Sequence, residues 1–167
     1  QTDYSYKLKT PWRVIASAAF VLGQRMILSA DYEYVDYTAA KFSNNDAGNE
    51  YFETNEAIKN IYKATHNFRA GAEFRLNSVF CLRGGYALSA SPYKKGEMNE
   101  DNDIQIYSGG LGVNLGSFYA DASYMHKKSD INGLFYYYEA PSGVIESPEF
   151  NTKFKNNEFR LTLGFRF

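Results

Sequence analysis

Residues 64–93 read ATHNFRAGAEFRLNSVFCLRGGYALSASPY, and their period of two decides the fold class. Phe68, Ala70, Ala72, Phe74 and Leu76 fall on one side of an extended chain, opposite Asn67, Arg69, Gly71, Glu73 and Arg75. Successive side chains of a strand point to opposite faces, so this alternation marks a strand with one apolar and one polar face. After turn-forming residues 77–79 the pattern resumes, Phe80, Leu82, Gly84, Tyr86 and Leu88 alternating with Cys81, Arg83, Gly85 and Ala87. Two such runs joined by so short a turn make an antiparallel hairpin.

Outward from this hairpin the alternation recurs, and eight strands are expected, at residues 3–10, 12–22, 26–37, 65–76, 79–89, 104–115, 118–127 and 158–167. Pro11 ends the first, because proline has no N–H for a ladder. The connections alternate in length: 23–25, 77–79 and 116–117 are tight turns, whereas 38–64, 90–103 and 128–157 are long and polar. With consecutive strands antiparallel, all tight turns fall at one end of the sheet and all long loops at the other. In the first long loop, residues 54–62 read as a short helix with Ile58, Ile61 and Tyr62 on one side. In the third, residues 134–138 and 150–154 are candidates for an extra hairpin.

Composition agrees with an all-β chain. Fifteen Tyr, thirteen Phe and thirteen Gly with four Pro suit pleated, closely packed strands better than helices. A length of 167 residues predicts one structural unit, residues 1–167. The net charge of -1 and the absence of like-charge runs argue against nucleic acid as a partner. Cys81, alone, excludes an internal disulfide framework and a multi-thiolate zinc site. The longest nearly apolar run, residues 14–23, is too short for a spanning helix. Residues 1–10 lack the basic-then-apolar order of a signal peptide, so none is expected within the chain.

From the second strand on, the apolar faces comprise 34 positions without one Asp, Glu, Lys or Arg. The opposite faces carry Arg13, Asp31, Glu33, Arg69, Glu73, Arg75, Arg83, Asp121, Arg160 and Arg166, which is every arginine except Arg25. Two architectures present such a sheet. A soluble lipid-binding barrel turns its apolar face inward and its charges to water. A transmembrane barrel turns the apolar face to lipid and keeps a polar lumen.

Four features favour the transmembrane form. Arginine's planar fork suits crowded pairing with carboxylates, where a merely solvated face would use more lysine. Most strands have the roughly 9 to 11 residues that a tilted strand needs to cross a bilayer. Short turns at one end and long loops at the other is the outer-membrane pattern. Tyr32, Tyr34, Tyr86, Tyr107, Tyr124, Phe165 and Phe167 cluster toward strand ends, where an aromatic girdle sits. The fold expected is therefore an all-β, antiparallel up-and-down transmembrane β-barrel of about eight strands.

The stretches TPWRVIASAAFVLGQRMILSADYEYVDY (10–37), ATHNFRAGAEFRLNSVFCLRGGYALSASPY (64–93), SGGLGVNLGSFYADASYMHKKSD (108–130) and EFRLTLGFRF (158–167) resemble the C-terminal part of the FadL/TodX outer-membrane transport family. The resemblance covers most of the chain outside the long loops. It implies the outer membrane of a Gram-negative bacterium and passive uptake of hydrophobic molecules of the fatty acid or hydrocarbon class. It also implies that Phe159, Leu161, Leu163, Phe165 and Phe167 form the terminal strand recognised by the barrel-assembly machinery. Family members are larger barrels with an N-terminal plug and a lateral exit in the wall. Nothing here matches those parts, so this chain reads as a C-terminal piece without a plug, and most ligand-binding residues are expected upstream.

Asp31, Glu33, Arg69, Glu73, Arg75, Arg83, Asp121, Arg160 and Arg166 are the expected lumen-facing wall. They could line a solute path, but a brace of ion pairs across the wall is the simpler role. His66 and His126 stand near strand ends without a second histidine at ligand spacing, which fits girdle residues better than metal ligands. Glu97, Glu100, Asp101 and Asp103 lack the residue order of a calcium loop. Cys81 reads as a small packed residue, and no serine stands in a nucleophile motif. Neither catalysis, metal nor cofactor is expected. The expected partners are outer-membrane lipid, a hydrophobic small-molecule ligand and the barrel-assembly machinery, with self-association of open strand edges as a further possibility. A small structural or adhesive outer-membrane barrel is the main alternative, and the soluble lipid-binding barrel a weaker one.

Overall fold

The computed structural model describes residues 6–44, 51–141 and 143–166. Its strands are β1 (Lys7–Lys9), β2 (Trp12–Leu22), β3 (Met26–Asp36), β4 (Lys41–Ser43), β5 (Ala64–Arg75), β6 (Phe80–Ser89), β7 (Ile104–Asn114), β8 (Phe118–Gly133), β9 (Tyr137–Ala140), β10 (Gly143–Glu146) and β11 (Phe150–Phe165). A helix, α1 (Phe52–Ile61), precedes β5. Seven strands form one antiparallel sheet in the order β11-β8-β7-β6-β5-β3-β2, so each main strand pairs with its neighbours in sequence. Among the described residues the sheet is open, with β2 and β11 as its edges.

The registers keep the apolar positions in phase across the sheet. Ala18 faces Ala30, which faces Ala70, which faces Tyr86, which faces Tyr107. A slip of one residue at any seam would put a charged row among apolar ones, which is why register is strongly specified when the two faces meet different media. The short turns are closed by local chemistry. Asn77 Oδ1 accepts from the Val79 and Phe80 amides, both at 2.8 Å, and Asn114 Oδ1 accepts from the Gly116 amide at 3.1 Å. Gly23 and Gly116 take φ of 61° and 80°, a region in which a side chain is strained.

Three expectations need correction. The strand expected at residues 3–10 does not join the sheet: Lys7–Lys9 pairs with β4 instead, because Pro11 interrupts the ladder before Trp12. Asp3, Tyr4 and Ser5 of that strand lie outside the described residues, as does Phe167 at the other end. The strands expected at 118–127 and 158–167 are longer, pairing without a break from Phe118↔Phe165 to Gly133↔Phe150. Residues 150–154 therefore belong to β11, and the extra hairpin is β9 with β10. Beyond residue 126 the ribbon has polar groups on both faces, so alternation of hydrophobicity disappears while backbone pairing continues.

The long loops pack on one another. The Lys63 amide donates to Pro92 O at 2.8 Å and the Lys94 amide to Ile61 O at 2.8 Å, while the Tyr62 and Tyr93 rings lie 5.2 Å apart. Burial and the adjoining Tyr62 hydroxyl hold the Tyr93 phenol above its ordinary range. The Asn132 amide donates to Asn99 Oδ1 at 2.8 Å, tying loop 90–103 to the β8 extension. Asn55 on α1 exchanges two hydrogen bonds with the Phe42 main chain, at 2.8 and 2.9 Å, as a strand would.

Candidate functional site

The polar face carries two groups of paired charges. Near the long-loop end, Glu33 on β3 is 8% exposed and accepts from Arg69 Nη2 at 3.1 Å and Asn67 Nδ2 at 3.3 Å, both on β5. Arg13 on β2 approaches its other oxygen at 3.7 Å. Asn67 in turn accepts from the Ala90 amide at 3.1 Å, so one carboxylate ties three strands and a loop together. These partners satisfy a charge that burial would otherwise penalise by several kcal/mol (roughly, for an unpaired ion).

Near the short-turn end a chain of charges crosses four strands. Glu73 accepts from Arg75 Nε at 3.3 Å and from Arg83 Nε at 2.8 Å, and Arg83 Nη1 pairs with Asp121. Arg83 is on β6 and Asp121 on β8, so the guanidinium passes over β7 where Gly110 and Gly112 stand. A Cβ built on Gly112 would come 2.7 Å from Asp121 Oδ1 and also strike Cys81 Sγ, so only glycine leaves this passage open. Beside it, Tyr119 covers Gly164 across the β8–β11 seam, and Arg166 stacks on the Tyr119 ring at 5.6 Å.

All nine residues expected to form the polar wall share this face. Glu33 meets Arg69, and Glu73, Arg75, Arg83 and Asp121 form one group. Arg160 pairs locally with Glu158 at 2.5 Å, Arg166 stacks on tyrosine, and Asp31 stands opposite Ser17 and Arg69 in the register. Sequence reasoning missed the bridging roles of Asn67, Gly110 and Gly112. A glycine on a polar face directly opposite arginine was the available signal, readable only once the strand neighbours are known. His66 Nδ1 bonds the Tyr32 hydroxyl at 2.6 Å, and His126 Nδ1 bonds Asn157 Oδ1 at 2.7 Å. Asp103 accepts from the Ser91 amide at 2.8 Å, and Glu100 from the Gly96 amide. No group of three potential metal ligands occurs among the described residues.

Of the clefts that adjoin the charge groups, two lie at opposite ends of the sheet. The larger, about 730 Å³, lies at the long-loop end between Arg13, Glu33, Val35, Asn67 and Ile104 on the sheet and Pro92 and Asn102 of loop 90–103. The smaller, about 380 Å³, lies at the short-turn end against Arg75, Arg83, Tyr119, Asp121 and Arg166. The apolar face has no such cover. Val35 is the one buried hydrophobic side chain among the described residues, whereas Leu111 is 58% and Phe159 81% exposed.

The glycines make a direct test. Gly112→Val is expected to cost about 2 kcal/mol by displacing Asp121 and Cys81. Gly84, on the apolar face, has no atom nearer than 4.0 Å to an added Cβ, so Gly84→Ala is expected to fall within about 0.5 kcal/mol of the parent. Denaturant titration of folded protein in detergent reads both; equal costs would contradict the crowding of the polar face.

A single antiparallel meander with one apolar and one charged face, short turns at one end and long loops at the other, is the strand arrangement of the wall of an up-and-down transmembrane β-barrel. The chain is similar to the crystal structure of a Pseudomonas aeruginosa FadL homologue, with a TM-score of 0.60 and 15% sequence identity over 93% of this chain. It spans 35% of that protein. At that identity the likeness is one of fold. No protein-family model and no curated protein matches the sequence.

Proposed function

We propose that this chain is part of an outer-membrane barrel of a Gram-negative bacterium that passes hydrophobic small molecules, of the fatty acid or hydrocarbon class, through its lumen without chemistry on them. The observation that carries the reading is the uncovered apolar face. A sheet with one buried hydrophobic side chain among its described residues has no core to stabilise it in water, and lipid is the medium that such a face matches. No helix among the described residues is long and apolar enough to cross a membrane, so the strands would do the crossing. The crowding around Gly71, Gly85, Gly110 and Gly112, against the looser 4.0 Å contacts at Gly84 and Gly109, supports a sheet curved with its charged face inward.

The nine charged residues then brace the lumen wall, and the two clefts lie along the solute's route. The exposed row Phe159, Leu161, Leu163 and Phe165 faces lipid and serves as the terminal-strand signal for the barrel-assembly machinery. The open edges of β2 and β11 pair with further strands, since an unpaired edge in a bilayer leaves backbone groups without partners.

The test is uptake. Cells lacking their own route, expressing the intact protein, should accumulate a radiolabelled long-chain fatty acid or an aromatic hydrocarbon faster than vector controls and without an energy source. Accumulation no faster than in vector controls for either solute would sink the transport reading. The exposed hairpin residues Phe135, Tyr136, Tyr137 and Tyr138 favour the adhesive alternative, which would then take its place.

A further inference from the structure

The unbroken register of β8 with β11 assigns a face to every side chain of that ribbon. Along the apolar face run Phe165, Leu163, Leu161, Phe159, Asn157, Lys155 and Lys153, opposite Phe118, Ala120, Ala122, Tyr124, His126, Lys128 and Asp130. Lys155 therefore stands directly across from Lys128, and like charges in that position destabilise a sheet. None of Lys128, Lys153 and Lys155 takes part in an ion pair among the described residues. Asp130, across from Lys153, is the one carboxylate on this stretch of the face, and the adjoining position on β7 is the neutral Gln105.

The height of the pair matters. Ten residues separate Phe118↔Phe165 from Lys128↔Lys155, about 33 Å along a strand and about 25 Å across the bilayer at the usual tilt, which is the height of an apolar band. Immediately below the lysines, Tyr124 Oη and His126 Nδ1 both bond Asn157 Oδ1, at 2.8 and 2.7 Å, in the manner of a girdle. Below these lies the exposed surface of Phe159, Leu161 and Ala122.

We infer that Lys128 and Lys155, assisted by Lys153, bind the phosphate of a phosphorylated lipid in the leaflet on the long-loop side. An anion shared between the opposed lysines relieves their repulsion. A lipid supplies it with acyl chains that lie on the apolar surface beneath, which a free anion lacks. The inference rests on the proposed placement of the apolar face in lipid.

The test uses the intact protein in dodecyl maltoside micelles, with native mass spectrometry reading bound phosphatidic acid against diacylglycerol, its counterpart without phosphate. The parent should retain phosphatidic acid and not diacylglycerol. Lys128→Gln with Lys155→Gln should weaken retention about 25-fold, at about fivefold per lysine near an anionic surface; Lys128→Arg with Lys155→Arg should preserve it, as should Lys95→Gln in a loop. In micelles without phospholipid, Lys155→Gln should leave the melting temperature unchanged or raise it, because the repulsion is gone. Retention that is the same in the double Gln variant, or inorganic phosphate that displaces the lipid at equal concentration, would overturn the inference. A heat-sensitive gel shift run in parallel separates the cases: no shift defeats the barrel itself, whereas a shift with lysine-independent retention defeats the lipid site alone.

Discussion

Leu111→Arg is expected to cost about 2–4 kcal/mol of folding stability in a bilayer, the penalty of a charge near the midplane on the lipid face of a barrel. Leu111 pairs with Leu82 and Ala122 in the middle of the sheet and is exposed on the apolar face. The diagnostic is the depth profile. Asn157→Arg, on the same face near the girdle, should cost about 0–1 kcal/mol, while Leu161→Arg, level with Leu111 across Ala122, should cost about as much as Leu111→Arg. Urea unfolding in phospholipid vesicles reads the series. A soluble barrel would instead rank the sites by how well each packs inside its pocket, without regard to distance from the girdle.

The second large effect is expected from Arg83→Ala, at about 2 kcal/mol. It removes the partner of Asp121 and leaves Glu73 with Arg75 alone. Nearly half of the Arg83 side chain is exposed, which keeps the figure below that for a fully buried pair. Arg83→Lys should restore only part of the loss, because an ammonium does not present a fork to two carboxylates on different strands. A double-mutant cycle of Arg83→Ala with Asp121→Ala should show a coupling of about 1 kcal/mol across β7. Zero coupling would mean that the passage over Gly112 contributes nothing to the wall.

Much of the fold is legible before any coordinates. The rows Phe68-Ala70-Ala72-Phe74 and Phe159-Leu161-Leu163-Phe165 announce strands because their face tolerates no charge, and a medium that excludes charge writes a period of two into the chain. Where both faces carry polar side chains the period is lost. That is why residues 128–133 and 155–157 read as loop, and 150–154 only as a candidate for a separate hairpin, although they pair as regularly as the rest. Tyr6 and Leu8 alternate like a wall strand, yet Pro11 sends them to β4, and alternation alone says nothing of which strand is the neighbour.

The charged wall is legible as a set but not as a circuit. Asp31 and Arg69 face each other in the register, yet Arg69 bonds Glu33, one pleat further along. A long guanidinium chooses among diagonal partners as readily as the direct one. Arg83 reaching Asp121 depends on Gly112 lying between them, a relation among three strands that no single stretch of sequence contains. Asn67 looked like any polar residue of a strand; its value lies in the Glu33 carboxylate and the Ala90 amide, brought to it by two different elements.

The measurement that bears most directly on the placement of the apolar face is refolding of the chain with and without detergent, followed by circular dichroism and by gel mobility before and after heating. A β-spectrum and a heat-sensitive band shift that appear only in detergent or lipid are the predicted result. A monomeric, stably folded β-protein in plain buffer would contradict it, turning the apolar face inward and making this a soluble lipid-binding barrel.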